Sequence, residues 1–304
     1  MAGGRQCRLY EFHPQIALAA VLSLRLRIAL SATALAVLPA ASAVAADPPE
    51  WTRPTAPFHI VGNIWYVGSE GLAAYLIKTT AGAILIDATM AENVPAILRN
   101  IRSVGVSPRD VRYLLVSHAH FDHAAGDAAM VKATGAKVVA GVGDVAALQS
   151  GRPPGETTYT PVNFAPVTVA RGVRDGDAVS LGGVTLRAVA TPGHTPGCTT
   201  WTMRTRGAGR MLDVVFPCSI TVAGNRLVGN RRYPAIVSDF RKSFDRLARL
   251  HADVVLPAHP EFADVLTRHT RGGERAYVAP GLLQTMVAKA RIAFADDLAK
   301  QQKR

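Results

Sequence analysis

Apolar residues follow two kinds of spacing along the first half of the chain, and each kind predicts a different element. Short apolar runs bounded by Gly- or Thr-rich turns predict β-strands. Apolar residues that recur every three to four positions predict helices. Predicted strands and predicted helices alternate along this part of the chain, which is typical of an α/β layered fold. The predicted strands span 64–67, 73–77, 83–87, 111–116 and 136–140, and the predicted helices span 94–104 and 143–149.

The second half of the chain repeats this alternation with longer elements. Residues 199–216 read as a hairpin that turns at 207–209. A helical pattern over 234–250 places Phe240, Phe244 and Leu247 on one face, and 282–300 predicts a long amphipathic C-terminal helix whose apolar positions pack against a sheet. The remaining predicted strands span 184–190 and 253–256.

A long segment without periodicity separates the two halves. Residues 150–166 are rich in Gly, Pro and Thr, and loops of this length are often functional. Tyr159 and Phe164 are candidates for lining a substrate cleft, although a passive surface loop is an equally open interpretation.

The N-terminal 46 residues have the features of a secretory signal peptide. Four arginines precede or flank an apolar run at 28–41, and small residues suited to cleavage follow it. We therefore expect removal of 1–46 and a periplasmic protein in which 47–304 form a single domain. The apolar run is too short for a confident membrane span, so we expect no stable membrane association after cleavage. A retained anchor is the alternative.

The chain is strongly basic, and its charge bears on the partners we expect. The formal net charge is +12, and removal of four Arg and one Glu with the leader leaves +9. The basic residues are scattered and do not alternate with aromatics, so we expect no nucleic-acid site. A positive field favours the arrival of small anionic substrates.

Three histidines and an aspartate lie within six residues between a predicted strand and a predicted helix. His118 and His120 are two apart, so in extended backbone they point the same way. Asp122 and His123 are adjacent and should splay apart around the turn. The first pair can close on one metal ion while the second pair serves another. Zinc suits a set of imidazoles and a carboxylate.

Two further histidines occupy the same context, just past the end of a predicted strand. His194 lies in a Pro- and Gly-rich loop at 191–197, and His259 follows the strand at 253–256. With the central cluster present, we expect both to complete the metal site. The other histidines are expected to be ordinary surface or core residues or to leave with the leader; they are His13, His59, His251 and His269.

From about residue 58 onward these motifs resemble the metallo-β-lactamase superfamily, and within it the third subclass of the class B β-lactamases. The resemblance implies an αβ/βα sandwich of two mixed sheets flanked by helices, making 47–304 one catalytic domain. It also implies two Zn²⁺ ions per chain and hydrolysis of β-lactam antibiotics by a metal-bound hydroxide. The first zinc would be held by His118, His120 and His194, and the second by Asp122, His123 and His259.

The resemblance also implies roles for residues outside the ligand set. Asp122 would be catalytic and orient the hydroxide. Ser219 and Thr221 match positions that contact the substrate carboxylate, although they are equally open to being satisfied strand-end hydroxyls. Asn225 and Arg226 are weaker candidates for the same contact. Asp87 is expected to be a structural aspartate and not a ligand.

Two other functions remain open at this point. A glyoxalase II-like thioesterase or a lactonase of the same superfamily usually carries a bridging aspartate between the last two metal histidines. Residues 216–219 occupy that place and contain no acid, which disfavours these hydrolases. A non-catalytic zinc-binding protein would need closed coordination, whereas six ligands on two ions leave open positions.

The two cysteines outside the leader are predicted to form a disulfide. Cys198 and Cys218 are each ten residues from Ala208, the centre of the predicted hairpin turn, so they should face each other across the two strands. An exported protein meets an oxidising compartment where such a bond persists.

Overall fold

The computed structural model describes residues 47–303. The predicted leader at 1–46 therefore lies outside the described residues. Among residues 47–303, no helix combines the length and apolar character that crossing a membrane requires.

The first sheet has seven strands, and its two halves differ in strand direction. Strands β1 to β4 pair antiparallel in sequence order, and β4 to β7 continue the sheet in parallel. Parallel neighbours need a crossover, and helices provide it between β4 and β5 and between β5 and β6. The strands are β1 Phe58–Val61, β2 Ile64–Tyr66, β3 Tyr75–Thr79, β4 Gly82–Ile86, β5 Val111–Leu115, β6 Lys137–Gly141 and β7 Val169–Val173.

The second sheet has five strands in the order β12-β11-β10-β9-β8. Strands β8 to β11 form an antiparallel meander, and β12 joins β11 in parallel. Both sheets are therefore mixed, as expected. The strands are β8 Ala178–Leu181, β9 Val184–Ala190, β10 Thr199–Gly207, β11 Arg210–Phe216 and β12 Val254–Val255.

Helices cover the outer faces of both sheets. The α-helices are α1 Val94–Ser103, α2 Phe121–Ala124, α3 Asp127–Thr134, α4 Val145–Ser150, α5 Ile236–Arg249, α6 Val265–Arg271 and α7 Leu282–Gln302. Short 3₁₀ turns lie at Pro49–Trp51, Ala91–Asn93, Pro108–Asp110, Val142–Asp144, Pro260–Ala263 and Glu274–Tyr277.

Three apolar clusters account for the layers. The largest lies between the sheets and includes Tyr66, Ile84 and Trp201. A second joins the first sheet to α1 and α3, and a third joins the second sheet to α5 and α7. Two helix layers thus enclose two sheets, which confirms the αβ/βα sandwich. Helix α7 buries Leu283, Val287, Phe294 and Leu298 on one face, as its sequence predicts.

Most predicted elements are confirmed, with boundaries shifted by one or two residues. The strand predicted at 184–190 has those bounds, and the C-terminal helix runs two residues further than predicted. Strands β7 and β8 and helix α6 were not predicted. Strand β7 exposes its three middle residues, and β8 has only four residues, so neither shows an apolar run.

The hairpin corrects the spacing argument for the cysteines while confirming their bond. Gly207 pairs with Arg210, so the turn consists of two residues, Ala208 and Gly209, which both have positive φ. The register is therefore centred between these residues, and the prediction that Cys198 lies directly opposite Cys218 is wrong. The disulfide forms nevertheless, with Cα atoms 5.8 Å apart. Both cysteines lie outside the paired ladder, where the chain is free to bring them together.

We expect the disulfide to stabilise the fold. Its cysteines are 20 residues apart in sequence. Closing a loop of that size lowers the entropy of the unfolded chain and so raises its free energy by about 3 kcal/mol. Replacing both cysteines by serine should lower the free energy of unfolding by about that amount, measured by urea titration. Wild-type protein unfolded with a reductant present is the control and should show the same loss. Equal midpoints in all samples, or two free thiols by mass spectrometry, would contradict the bond.

Candidate metal centre

The three segments that carry the predicted ligands all begin at the ends of strands. His118 and His120 follow β5, His194 lies between β9 and β10, and His259 follows β12. Asp122 and His123 occupy a helical turn, α2, and the expectation that they splay apart is wrong, because Oδ2 of Asp122 lies 3.1 Å from Nε2 of His123. His120 has extended backbone and stands directly before this helix.

The three histidines predicted for the first zinc converge on one point. The Nε2 atom of His194 lies 2.9 Å from Nδ1 of His120 and 3.1 Å from Nε2 of His118. All three side chains are buried. We refer to these residues as the first triad.

The other three predicted ligands form a second convergent set. The Oδ2 atom of Asp122 lies 3.1 Å from Nε2 of His123 and 3.3 Å from Nε2 of His259. The two Nε2 atoms are 3.2 Å apart. We refer to these residues as the second triad. His118, Asp122 and His123 also offer ligand atoms within 4.8 Å of one another, so the two triads are neighbours.

The spacing of the donor atoms fits a metal ion at each triad. Zinc binds imidazole nitrogen at about 2.0–2.1 Å, so two ligand atoms of a tetrahedral site stand about 3.3 Å apart. The contacts within both triads are close to this value. Protonated imidazoles this close and this buried would repel one another. The structure therefore brings together all six predicted ligands in two sets suited to cations.

Burial keeps the first triad in the form that binds metal. It lowers the pKa of His118 and His194 well below the ordinary value, and the neighbouring histidines lower it further. Burial also lowers the pKa of His120 to about 4, although the charge of Asp122 acts in the opposite direction. These imidazoles are neutral at pH 7, so their lone pairs are free for a metal.

The second triad contains an ion pair when no metal is bound. Burial opposes the charge of Asp122, but His123 and His259 outweigh it and hold the pKa of this carboxyl well below its usual range. Burial also opposes the charge of His123, but the carboxylates of Asp122 and Asp87 outweigh it and raise the pKa of His123 to about 10. His123 must therefore lose a proton before its Nε2 atom can bind metal.

Residues behind the triads hold the ligands in place. Asp87 accepts hydrogen bonds of 2.7 Å from the backbone N–H and the hydroxyl of Ser117, next to His118. It also lies 3.6 Å from Nδ1 of His123. These contacts agree with the structural role expected for Asp87. Nδ1 of His194 lies 2.7 Å from the backbone oxygen of Thr221, which orients that ring.

The predicted substrate-binding residues lie beside the first triad. The hydroxyls of Ser219 and Thr221 are 3.1 Å apart, and both residues are half-buried. Asn225 is buried and donates to the backbone oxygen of His194 over 2.9 Å, so it supports a ligand loop. Arg226 faces Glu156 at 3.7 Å.

The two aromatic residues of the long loop have different positions. Phe164 is buried in the apolar cluster of the first sheet, so the suggestion that it lines a cleft is wrong. Tyr159 is 44% exposed and close to Gly224. Partial burial raises its pKa, and the charge of Asp122 raises it further.

One aromatic neighbour of the site was missed. The ring of Trp51 lies 5.6 Å from His259 and 6.2 Å from Phe121, centroid to centroid. Trp51 lies shortly after the predicted leader at 1–46 and belongs to no periodic pattern, so the sequence offers no signal for this contact.

One of the remaining histidines has neighbours that were not expected. His251 offers a ligand atom within 4.8 Å of Asp213 and Asp253. Arg204 and Arg210 already pair with these two carboxylates, at 3.3 Å and 2.7 Å. His59 and His269 contact Gly62 and Phe58 instead.

Comparison with solved structures identifies close structural relatives. BJP-1, a subclass B3 metallo-beta-lactamase of Bradyrhizobium japonicum, is 40% identical with a TM-score of 0.80, over 84% of this chain and 98% of that one. FEZ-1 metallo-beta-lactamase from Legionella gormanii is 36% identical with a TM-score of 0.78, over 83% of this chain and 98% of that one. Similarity of this extent supports a hydrolase of the subclass B3 type.

Curated relatives are more distant and are matched over shorter stretches. An N-acyl homoserine lactonase of a Bacillus species is 28% identical over 45% of this chain and 60% of its own length. A hydroxyacylglutathione hydrolase of Rhodospirillum rubrum is 30% identical over 40% of each chain. The chain thus spans about half the length of the curated relatives it matches.

The family model described as Metallo-beta-lactamase superfamily matches residues 70–259. This range includes five strands of the first sheet, all of the second sheet and both triads. The chain therefore belongs to the metallo-beta-lactamase superfamily.

Proposed function

We propose that this protein hydrolyses the β-lactam ring of antibiotics with two zinc ions, one held by each triad. The observation that carries the proposal is the convergence of six donor atoms into two neighbouring sets within a fold shared with subclass B3 enzymes. The basic leader and its apolar run support export to the periplasm, and 47–304 would then act as one catalytic domain.

The donor chemistry favours zinc over a hard cation. Five imidazole nitrogens and one carboxylate oxygen make up the two triads, whereas Mg²⁺ and Ca²⁺ prefer oxygen ligands. When bound, zinc would polarise a carbonyl oxygen and lower the pKa of a water at its open position. Because each triad supplies three protein ligands, an open position is available at each, as in catalytic zinc sites.

Asp122 supplies a negative charge and a hydrogen-bond acceptor to the site. Its carboxylate stays ionised in the metal-free protein, and an ionised carboxylate can only accept hydrogen bonds. It can therefore orient a nucleophilic water that donates a hydrogen bond to it. We assign Asp122 both to the second triad and to catalysis.

The hydroxyls of Ser219 and Thr221 provide a place for the substrate carboxylate. They lie on the chain that leaves β11, next to the ring of His194. Two adjacent hydroxyl donors can bind the two oxygens of a carboxylate and so orient the ring relative to the triads. The net charge of +9 after leader removal would assist the approach of an anionic antibiotic.

The residues after β11 distinguish this proposal from a lactonase or a thioesterase. Those hydrolases usually carry an aspartate between the last two metal histidines. Here Cys218 is bonded to Cys198, and the neighbouring residues are Pro217 and Ser219, so this segment offers neither a carboxylate nor a free thiolate. Because the distant sequence relatives are a lactonase and a hydroxyacylglutathione hydrolase, hydrolysis of a lactone or a thioester is the second candidate function.

We expect activity to depend on metal and not on a side-chain nucleophile. A chelator should reduce nitrocefin hydrolysis at least 100-fold, and added zinc should restore it. Clavulanate, which targets serine enzymes, should have no effect. An acyl homoserine lactone and a glutathione thioester serve as comparison substrates. Faster turnover of either comparison substrate would favour the second candidate, and inactivation by clavulanate with zinc retained would contradict the mechanism.

Replacing Asp122 by asparagine should affect turnover far more than metal content. The amide keeps the shape but loses the negative charge that orients the nucleophilic water, so kcat should fall about 10²- to 10⁴-fold. Zinc at the first triad should remain, measured by elemental analysis. Asp245→Asn is a control, because Asp245 pairs with Arg291 on an exposed surface. Wild-type turnover by Asp122→Asn with two zincs bound would remove Asp122 from the mechanism.

Metal binding should release a proton from the second triad. The pKa of His123 is raised to about 10, so this residue is protonated at pH 7 in the metal-free protein and must lose its proton to bind metal. Zinc affinity should therefore rise with pH until about 10. Calorimetry in two buffers of different ionisation enthalpy measures the release.

Asp122→Asn tests the origin of this proton. It removes the charge that raises the pKa of His123, so less proton should be released. A binding enthalpy that is the same in both buffers for the wild-type protein would show that His123 is already neutral.

A further inference from the structure

A buried carboxylate, Asp144, lies next to the first triad and is not part of it. Asp144 ends the 3₁₀ turn Val142–Asp144 after β6 and stands before α4. It is 1% exposed and forms no ion pair among the described residues. A buried charge is costly unless hydrogen bonds compensate for it, so its partners indicate what it stabilises.

Three hydrogen bonds connect Asp144 to both loops that carry the first triad. Its Oδ2 accepts from the backbone N–H of Ala119 over 2.9 Å and from the hydroxyl of Thr195 over 2.6 Å. Its Oδ1 accepts from the backbone N–H of Gly197 over 2.7 Å. Ala119 stands between two ligands of the triad, and Thr195 directly follows the third. One carboxylate thus bridges the two backbone segments that hold all three imidazoles.

Close backbone packing leaves these two segments little freedom to shift. A Cβ atom at Gly141 would lie 2.1 Å from the backbone oxygen of Gly197, and one at Gly143 would lie 2.4 Å from that of Pro196. A Cβ atom at Gly197 would lie 2.3 Å from the backbone nitrogen of Asp144. The turn that carries Asp144 is therefore seated directly on the loop that carries His194.

The electrostatics of Asp144 agree with this bridging position. Burial raises its pKa to about 6, while the hydrogen bonds from Thr195, Gly197 and Ala119 act in the opposite direction. All three partners are donors, so each of them requires an acceptor at this place. Asparagine would replace one of the two carboxylate oxygens by an NH₂ group. That group would then face at least one of the three hydrogen-bond donors.

We propose that Asp144 is a positioning residue that fixes the His194 loop against the loop of His118 and His120, and so sets the metal affinity of the first triad. The inference rests on the proposed assignment of this triad as a metal site. Residues that orient metal ligands from behind typically change affinity 10- to 100-fold when they are replaced. The second triad does not contact Asp144 and should be unaffected.

The test measures metal affinity at each triad separately in the mature protein. Competition with a chelator, using zinc alone as the probe, should give two binding steps in the wild type. His194→Ala and His259→Ala assign the steps, because each variant removes a ligand of one triad. Asp144→Asn should weaken the step of the first triad about 10- to 100-fold and leave the other unchanged.

Asp253→Asn is a matched control for the loss of a buried carboxylate. Asp253 is 3% exposed, accepts from the backbone N–H of Asp213 over 2.9 Å and pairs with Arg210 over 2.7 Å. Both of its side-chain partners belong to strand β11, which carries no ligand of either triad. Its replacement should lower the denaturation midpoint while leaving both zinc steps at wild-type values.

Two substitutions at Thr195 give a milder version of the same test. Thr195→Val removes the hydroxyl that donates to Asp144, and Thr195→Ser retains it. We expect weaker zinc binding at the first triad for the valine variant and near wild-type binding for the serine variant. If Asp144→Asn does not fold, the comparison of Thr195→Val with Thr195→Ser becomes the test. Equal zinc affinities of these two variants at the first triad would overturn the proposal.

The remaining outcomes separate this inference from the proposed function. Wild-type affinity at both triads in folded Asp144→Asn, or an equal loss at both, would overturn the positioning role. Nitrocefin hydrolysis by the wild type would then leave the proposed function standing. A wild-type protein that binds no zinc would overturn both proposals.

Discussion

The constraint on which the site depends is the crowding of the six predicted ligand side chains into a largely buried space. Contacts of 2.9 to 3.3 Å separate the donor atoms within each triad. Buried imidazoles at this distance cannot all carry a proton, because like charges at low dielectric repel strongly. The first triad meets this constraint by remaining neutral, and the second does so through the ion pair of His123 and Asp122. A cation satisfies the donors of the first triad directly, whereas at the second triad it must first displace the proton of His123.

Elements far apart in sequence hold the ligand loops in this arrangement. The disulfide joins the start of β10 to the segment after β11, which carries the backbone oxygen that orients His194. Asn225 donates to the backbone of His194, and Gln301 in α7 donates to the backbone oxygen of Asn225 over 3.0 Å. Even the C-terminal helix thus contributes to the geometry of the first triad. The sandwich provides a rigid base, and a few buried polar contacts fix the loops on it.

Features that depend on the order of apolar and polar residues within one segment could be predicted from the sequence. The ligand residues follow apolar strands, and both α5 and α7 show helical spacing, so the layered fold and the six ligands could be expected from the sequence. Strand β7 was missed because its exposed middle resembles a loop. The predicted register of the two cysteines is wrong because the apolar pattern does not distinguish the two-residue turn of the structure from the three-residue turn predicted at 207–209. The contacts of Trp51, Asp144 and Asn225 join distant segments, and no local pattern encodes such contacts.

The central claim is that each triad binds one zinc ion, and diffraction at the zinc absorption edge tests it most directly. A crystal of protein spanning residues 47–304, grown with zinc, should show two anomalous peaks. One peak should lie about 2.0–2.2 Å from ligand atoms of His118, His120 and His194, and the other at the same distance from those of Asp122, His123 and His259. A single peak, no peak at the triads, or a peak only beside Asp213, His251 and Asp253 would contradict the account.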